Sequence, residues 1–185
     1  MSDVESTSRE TIENLIIAYI GERNAAARYA AFAVQADKER FFGVGSLFRA
    51  VAHSEQIHAT NHARVLLKYG AELRLDVLPV DVRTTVENLR SSFRGEMEER
   101  EDMYPSFAKQ AQLDDCLDAK QSFRMAAEGE AVHAMLFVTA MENIDEYRER
   151  SAYDVCTHCG WVCSGVNFKR CVFCDSGKDR FERID

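Results

Sequence analysis

The sequence has no excess of basic residues, no long apolar run and no signal-type amino terminus. Its 23 lysines and arginines are outnumbered by 31 aspartates and glutamates, for a formal net charge of -8. Nucleic-acid binding needs a basic stripe or patch, so this charge argues against nucleic acid as a partner. No uninterrupted apolar run approaches the roughly 20 residues of a membrane span, and the first residues lack the basic and apolar regions of a signal peptide. We therefore expect a soluble, cytoplasmic protein with no membrane partner.

Composition and length indicate a globular chain with one good-sized domain and a small appendage. Of the 185 residues, 46% are hydrophobic and 29% charged, which is typical of folded proteins. Four of the six cysteines are spaced as metal ligands. The remaining two, Cys116 and Cys163, are expected to be ordinary buried thiols in a reducing compartment.

Two Glu-x-x-His motifs lie in the middle of long helical patterns. They join Glu55 to His58 and Glu130 to His133. Residues three apart on a helix lie on one face, one turn apart, so each pair can present a carboxylate and an imidazole to the same point. One such pair often occurs by chance, whereas two at corresponding places indicate a shared site.

Another glutamate precedes each motif at nearly the same spacing. Glu22 precedes Glu55 by 33 residues and Glu96 precedes Glu130 by 34, which indicates a repeated helical hairpin. If each hairpin folds back at its middle, all four glutamates reach one level of a four-helix bundle. Unpaired buried charges cost several kcal/mol per ion, so a pair of metal cations is expected to neutralise them. This ligand pattern is that of ferritin-like di-iron carboxylate bundles.

Apolar periodicity predicts a mainly α fold with four helices at about 7–38, 46–69, 84–111 and 116–150. A capping box at 7–10 opens the first helix, and residues 39–45 are expected to form a turn with two glycines. Gly70 is the expected cap of the second helix. A long connector at 71–83 follows, and Pro105 is expected to kink the third helix or end its regular part.

The third helix carries one acidic residue more than the repeat requires. Glu99 lies three residues after Glu96 and hence on the same face, whereas the corresponding position of the first helix is Ala25. His62 is expected to be a polar neighbour of the site and His53 a structural residue. The other acidic residues of this helix are expected on its solvated face: Glu98, Glu101 and Asp102.

Beyond residue 150 the sequence changes character and contains two Cys-x-x-Cys pairs. The first pair is Cys156 and Cys159, the second is Cys171 and Cys174, and 11 residues separate the two pairs. This spacing is strong evidence for one tetrahedral metal held by four thiolates, which would replace the core that so short a segment lacks. The spacing does not separate iron from zinc. We predict two domains, a bundle at 1–150 and a four-cysteine metal domain at 151–185.

The chain resembles the rubrerythrin family over nearly its whole length, with the bundle first and a rubredoxin-like domain last. The stretches that carry the resemblance are Gly21-Glu22 with Arg28-Tyr29, Ser54-Glu55-x-x-His58, Gly95-Glu96-x-x-Glu99 with Met103-Tyr104-Pro105, Glu130-x-x-His133 and the two cysteine pairs. The resemblance implies a di-iron site with these ligands: Glu22, Glu55, Glu96, Glu99, Glu130 and His133. One iron is implied to move between Glu99 and His58 when its oxidation state changes. Tyr29 and Tyr104 are implied to hydrogen-bond the ligating carboxylates.

By the same resemblance, the expected activity is the reduction of hydrogen peroxide to water. Electrons are implied to come from an NAD(P)H-linked reductase or a rubredoxin, through one iron in the four-cysteine site. We expect the four-cysteine domain to hang beyond the fourth helix, about 25 Å from the mid-bundle metals. A head-to-tail homodimer, which the family implies, would bring the two sites together.

The alternative is a ferritin-like iron-binding or ferroxidase protein with a structural zinc in the tail. Glu99 and the rubredoxin-like tail favour the peroxidase. The second cysteine pair departs from the family pattern Cys-Pro-x-Cys-Gly, because Val172 and Asp175 replace the proline and the glycine. Asp175 is expected to add negative charge near the metal and so to make its reduction harder.

Overall fold

Four long helical rods pack side by side, and a small sheet follows them. The computed structural model describes residues 8–73, 78–165 and 169–185. Its helices are α1 (Arg9–Lys38), α2 (Phe42–Lys68), α3 (Thr85–Glu98), α4 (Tyr104–Leu113) and α5 (Leu117–Glu142). A π-helical segment, Glu99–Met103, joins α3 to α4, so that the two form one rod. The predicted mainly α, four-helix architecture is confirmed. Thr7, the first residue of the predicted capping box, lies outside the described residues.

The turn between α1 and α2 is shorter than predicted, because both of its glycines belong to α2. A Cβ atom on Gly43 would lie 2.7 Å from the carbonyl oxygen of Glu149, and one on Gly45 would collide with the side chain of Asp37. These glycines therefore let the start of α2 pack closely against neighbouring chain segments. Gly70 follows α2 with a φ of 70°, as expected of a helix cap.

The third rod is irregular just before Pro105, as predicted. It begins with a capping box, in which Thr84 and Glu87 each accept a hydrogen bond from the other's backbone N–H. A proline has no N–H to donate and clashes with the carbonyl group four residues earlier, here that of Glu101. The wider π turn at Glu99–Met103 relieves this clash and lets the helix continue.

α5 ends at Glu142, eight residues before the predicted end. Asn143 leaves the helical conformation with φ -123° and ψ 35°, and a 3-10 turn at Ile144–Arg148 follows. This turn packs against the start of α2, where the absence of a side chain on Gly43 makes room for the backbone of Tyr147. The chain beyond α5 is thereby directed along α2 and not away from the bundle.

A three-stranded antiparallel sheet lies against α2. Its strands are β1 (Tyr153–Cys156), β2 (Val162–Cys163) and β3 (Phe181–Ile184), with β1 in the centre. Asp154 of β1 faces Cys163 of β2 and Arg183 of β3. Tyr153 and Val155 belong to the same apolar core as the helices.

Two apolar cores occupy the bundle, one on each side of a polar level. Large buried aromatic side chains mark both: Tyr29, Phe48 and Phe137 in one core, Tyr104 and Phe123 in the other. The thiols of Cys116 and Cys163 are free and buried, as predicted. Within the described ranges, no helix has the length and apolar character needed to span a membrane.

Replacing Gly43 with alanine should destabilise the protein, because the new Cβ would meet backbone atoms that cannot move independently. We expect a loss of about 1–3 kcal/mol in the free energy of unfolding, measured by urea denaturation. Gly21→Ala is the matched control, since apart from the local backbone of α1 no atom of the described residues lies within 4 Å of its Cβ position. It should stabilise the helix by about 0.5–1 kcal/mol. Equal effects of the two substitutions would contradict the close packing at Gly43.

Candidate metal centre

Four glutamates and two histidines meet at the level between the two cores. Each helical rod contributes one glutamate, and the whole set is at most 1% exposed: Glu22, Glu55, His58, Glu96, Glu130 and His133. The spacings of 33 and 34 residues therefore do bring the four carboxylates together, as the repeat predicted.

The six side chains form two overlapping groups of possible metal ligands. Group one consists of Glu22, Glu55, His58 and Glu130, and group two of Glu55, Glu96, Glu130 and His133. In each group the ligand atoms lie within 4.8 Å of one another. Because Glu55 and Glu130 belong to both groups, two cations held here would lie side by side and share two carboxylates.

The ligand atoms point at one another in a way that hydrogen bonding does not explain. Nδ1 of His133 lies 2.7 Å from Glu130 Oε2, 3.3 Å from Glu55 Oε1 and 3.6 Å from Glu96 Oε2. Within the described residues, however, neither Nδ1 nor these three oxygens have a partner with hydrogen-bond geometry. Buried polar atoms are normally satisfied. A cation between them would satisfy all four, so the residues fit a pair of metal ions.

The electrostatics of this level show how the protein alone balances the charges. Burial, together with the carboxylates of Glu55 and Glu130, raises the pKa values of Glu22 and Glu96 well above the ordinary range. Burial would lower the pKa of His58, but the same two carboxylates raise it to about 9. The pKa of His133 is likewise raised by Glu55 and Glu130 against the effect of burial. In the absence of a metal, the raised pKa values favour protons on these groups, and those protons offset part of the negative charge.

Two tyrosines hold the outer carboxylates, in the positions that the sequence resemblance implies. The hydroxyl group of Tyr29 donates to Glu96, and that of Tyr104 donates to Glu22. Each bond occupies one carboxylate oxygen and orients the other, as a partner behind a metal ligand does.

His62 is fully buried beside Tyr104 and borders the site. Its Nε2 lies 3.4 Å from the Tyr104 hydroxyl and its Nδ1 lies 2.8 Å from Ser122 Oγ. Burial and the neighbouring charge of His58 lower the pKa of His62 to about 3, so it is neutral. The prediction of a polar neighbour is confirmed. His53 pairs with Glu182 of β3, 2.8 Å away, in keeping with its predicted structural role.

Glu99 belongs to neither ligand group among the described residues. It lies on the π-helical segment and lines a cleft of about 470 Å³ with Arg28, Ser91, Gly95 and Met103. Burial and the carboxylates of the centre raise its pKa to about 8. The other acidic residues of this stretch are exposed, as predicted: Glu98, Glu101 and Asp102.

The four predicted cysteines converge in the small sheet. Sγ of Cys156 lies 3.6 Å from Sγ of Cys174, and Cys159 and Cys171 are separated by the same distance. A tetrahedral metal with bonds of about 2.3 Å requires sulfur atoms about 3.8 Å apart. The thiol groups are therefore already close to the geometry that such a metal needs.

The four-cysteine cluster lies directly beside the carboxylate level of the same chain. Nε2 of His58 is 3.1 Å from the carbonyl oxygen of Cys159, and Ser54 Oγ donates to the carbonyl oxygen of Gly160 at 2.5 Å. The expectation that the small domain hangs far beyond the bundle is wrong, because α5 stops early and the chain returns along α2. Gly160 has a φ of 83°, and a Cβ there would collide with His58. This contact was not expected from the sequence, although Gly160, directly after Cys159, was a local signal for it.

Comparison with known proteins gives consistent matches. The family model described as Rubrerythrin matches residues 13–141. Rubrerythrin-2 of Clostridium acetobutylicum is 32% identical over 175 residues, which cover 93% of this chain and 95% of that protein. Nigerythrin of Nitratidesulfovibrio vulgaris is 32% identical over 98% of this chain and 90% of its own length. A solved structure of nigerythrin in a mixed-valence state superposes with a TM-score of 0.88, covering 94% of this chain and 86% of that one.

Metal binding at the carboxylate level should release protons. Glu22, Glu96, His58 and His133 all have raised pKa values, so in the metal-free protein each keeps its proton to a higher pH than a free side chain does, and a bound cation would displace such protons. We expect release of more than one proton as Mn²⁺, which prefers carboxylates to thiolates, fills both groups. Calorimetric titration in buffers of different ionisation enthalpy measures this number. Glu96→Gln, which cannot hold a displaceable proton, should lower this number. Release of less than one proton, as ordinary pKa values would give, would contradict the charge balance.

Proposed function

The chain belongs to the rubrerythrin family, and on this basis we propose that it is a non-haem di-iron peroxidase that reduces hydrogen peroxide to water. The observation that carries the proposal is the sharing of Glu55 and Glu130 between two ligand groups. Two irons held in this way would supply together the two electrons that cleavage of an O–O bond requires. We assign the carboxylate centre to residues 1–150 and the electron-relaying four-cysteine iron to residues 151–185.

The proposed ligands are the six side chains of the two groups, with Glu99 as an alternative to His58. His58 takes part in group one, whereas Glu99 lies at the edge of the adjoining cleft. A neutral imidazole suits ferrous iron and a carboxylate suits ferric iron. The described arrangement therefore supports His58 as the ligand in the reduced protein, and Glu99 would replace it after oxidation.

Reduction of one peroxide molecule to two waters consumes two electrons and two protons. Glu99 is suited to supply a proton, because its pKa is raised to about 8 and the residue lines the cleft. Tyr29 and Tyr104 keep Glu96 and Glu22 in fixed orientations during this exchange. The two apolar cores limit the access of water from the other sides.

We propose that electrons pass from the four-cysteine iron to the bundle through the contact between Cys159 and His58. The 3.1 Å separation of the Cys159 carbonyl oxygen and His58 Nε2 supports this route, since His58 is itself a proposed ligand. The external donor would be an NAD(P)H-linked reductase or a rubredoxin. A head-to-tail homodimer remains part of the proposal, although the contact within one chain already brings the two centres together.

Stoichiometric peroxide added to the anaerobically reduced protein tests the function. We expect fast oxidation of the carboxylate centre, followed by the appearance of the strong visible absorption of a ferric four-thiolate site as that iron passes its electron on. Oxidation by dioxygen should be slower. A faster reaction with dioxygen would favour the ferroxidase alternative, and a tail that stays colourless after oxidation would contradict an iron relay in favour of a structural zinc.

Replacing Glu99 with glutamine should slow turnover without unfolding the bundle. The substitution keeps the size of the side chain but removes the proton donor and the charge that would hold ferric iron. We expect peroxidase kcat to fall by about 10–100-fold, the range found when a supporting group at a metal site is lost. The control is Glu101→Gln on the exposed face of the same segment, which should leave kcat unchanged. Equal rates for the two variants would show that Glu99 takes no part in turnover.

A further inference from the structure

A hydroxyl group lies beside one thiol of the four-cysteine cluster, and neither the metal ligation nor the proposed electron route uses it. Sγ of Cys174 is 3.2 Å from Oγ of Ser176. A thiolate that binds a metal carries no proton, so in the metal-bound protein the hydroxyl group donates and the sulfur accepts. Cys174 is also the only one of the four ligands that is not fully buried.

The backbone of residues 171–176, the second cysteine loop, fixes the position of this hydroxyl group. The N–H of Cys171 donates to the Ser176 carbonyl oxygen at 2.8 Å, and the N–H of Asp175 donates to the Cys171 carbonyl oxygen at 3.0 Å. Asp175 has a φ of 59°, which closes the loop tightly between these two bonds. Ser176 is therefore held near the sulfur by bonds that do not involve its own side chain.

The negative charge of Asp175, which we expected to make reduction of the metal harder, is paired in the structure. Its carboxylate accepts two hydrogen bonds from the guanidinium group of Arg170, at 2.5 and 2.8 Å. Both side chains are largely exposed, so solvent screens what remains of their charges. The hydroxyl of Ser176 is in direct contact with a ligand atom, so its effect on the metal should exceed that of the screened ion pair.

The hydroxyl group of Ser176 has no counterpart in the first cysteine loop, residues 156–161. The residue two positions after Cys159 is Trp161, which carries no hydroxyl group and packs edge-on against Phe173. The Cys159 loop is also the one that contacts His58 in the bundle. The hydroxyl donor thus lies on the loop that does not make this contact with the carboxylate centre.

We propose that Ser176 raises the reduction potential of the iron in the four-cysteine site. When one electron converts the ferric to the ferrous form, the net charge of iron and four thiolates changes from -1 to -2. A hydrogen bond donated to sulfur stabilises the more negative form, and such bonds are one of the means by which proteins set the potential of thiolate-bound iron. The inference rests on the proposed electron route, in which a higher potential helps this iron accept electrons from the external donor.

A redox titration of the four-cysteine iron tests the proposal without any peroxide turnover. The full-length protein is reconstituted with iron, and the visible absorption of its ferric four-thiolate centre is followed against a reference couple. Ser176→Ala should shift the equilibrium about tenfold towards the oxidised form, which for one electron corresponds to a potential about 59 mV lower. Ser176→Gly, which also lacks the hydroxyl, should shift it in the same direction.

Two controls separate the hydroxyl from the packing of the loop. Ser176→Thr keeps a hydroxyl and should stay within about twofold of the unmodified protein, as should Ser164→Ala at an exposed position of the same small domain. An unshifted equilibrium in Ser176→Ala would overturn the proposal, and so would an equal shift in Ser176→Thr. A protein that titrates as proposed but reacts slowly with peroxide would refute the peroxidase function and leave the role of Ser176 intact.

Discussion

The structure depends on four glutamates that are buried together at one level of the bundle. Transferring a carboxylate from water into the protein interior costs several kcal/mol if it stays charged. Packing of the helices against one another does not offset this desolvation cost. The fold meets the cost with Tyr29 and Tyr104, with two imidazoles, and with cations or protons at the remaining atoms. The apolar cores on either side exclude water, so the level is stable only when its charges are balanced. A pair of metal ions would satisfy that condition, and it would also supply the two electrons that the proposed reaction needs.

His58 links this level to the four-cysteine cluster, and two glycines make the link possible. A Cβ on Gly129 of α5 would lie 2.5 Å from His58 Cε1, and one on Gly160 would also collide with the ring. The imidazole is therefore enclosed between α5 and the first cysteine loop. Its Nδ1 faces Glu55 and Glu130 at 3.0 and 3.1 Å, while its Nε2 faces the carbonyl oxygen of Cys159. One side chain thus touches both the proposed site of peroxide reduction and the proposed source of electrons.

The carboxylate level could be predicted from the sequence because the rise per residue along a helix is constant. Two hairpins with glutamates 33 and 34 residues apart therefore place all four glutamates at the same height in the bundle. The irregular stretch at Pro105 could be predicted for a similar local reason. The start of α2 could not be predicted in the same way, because a glycine suits a turn and a close contact between helices equally well. Only the packing of Gly43 against the backbone of Glu149 shows that this glycine belongs to the helix. The early end of α5 and the return of the chain along α2 likewise depend on tertiary contacts. The predicted separation of the two sites was therefore wrong, although the side chains that converge at each had been predicted to lie together.

The central claim is that two cations lie side by side at the carboxylate level and share Glu55 and Glu130. Anomalous X-ray diffraction at the iron edge, from crystals of the reconstituted protein, tests it most directly. The account predicts three iron peaks in each chain, one among the four thiolates and two next to each other, both in contact with these two glutamates. One peak or none at the carboxylate level, with the glutamates turned away from a common point, would contradict it.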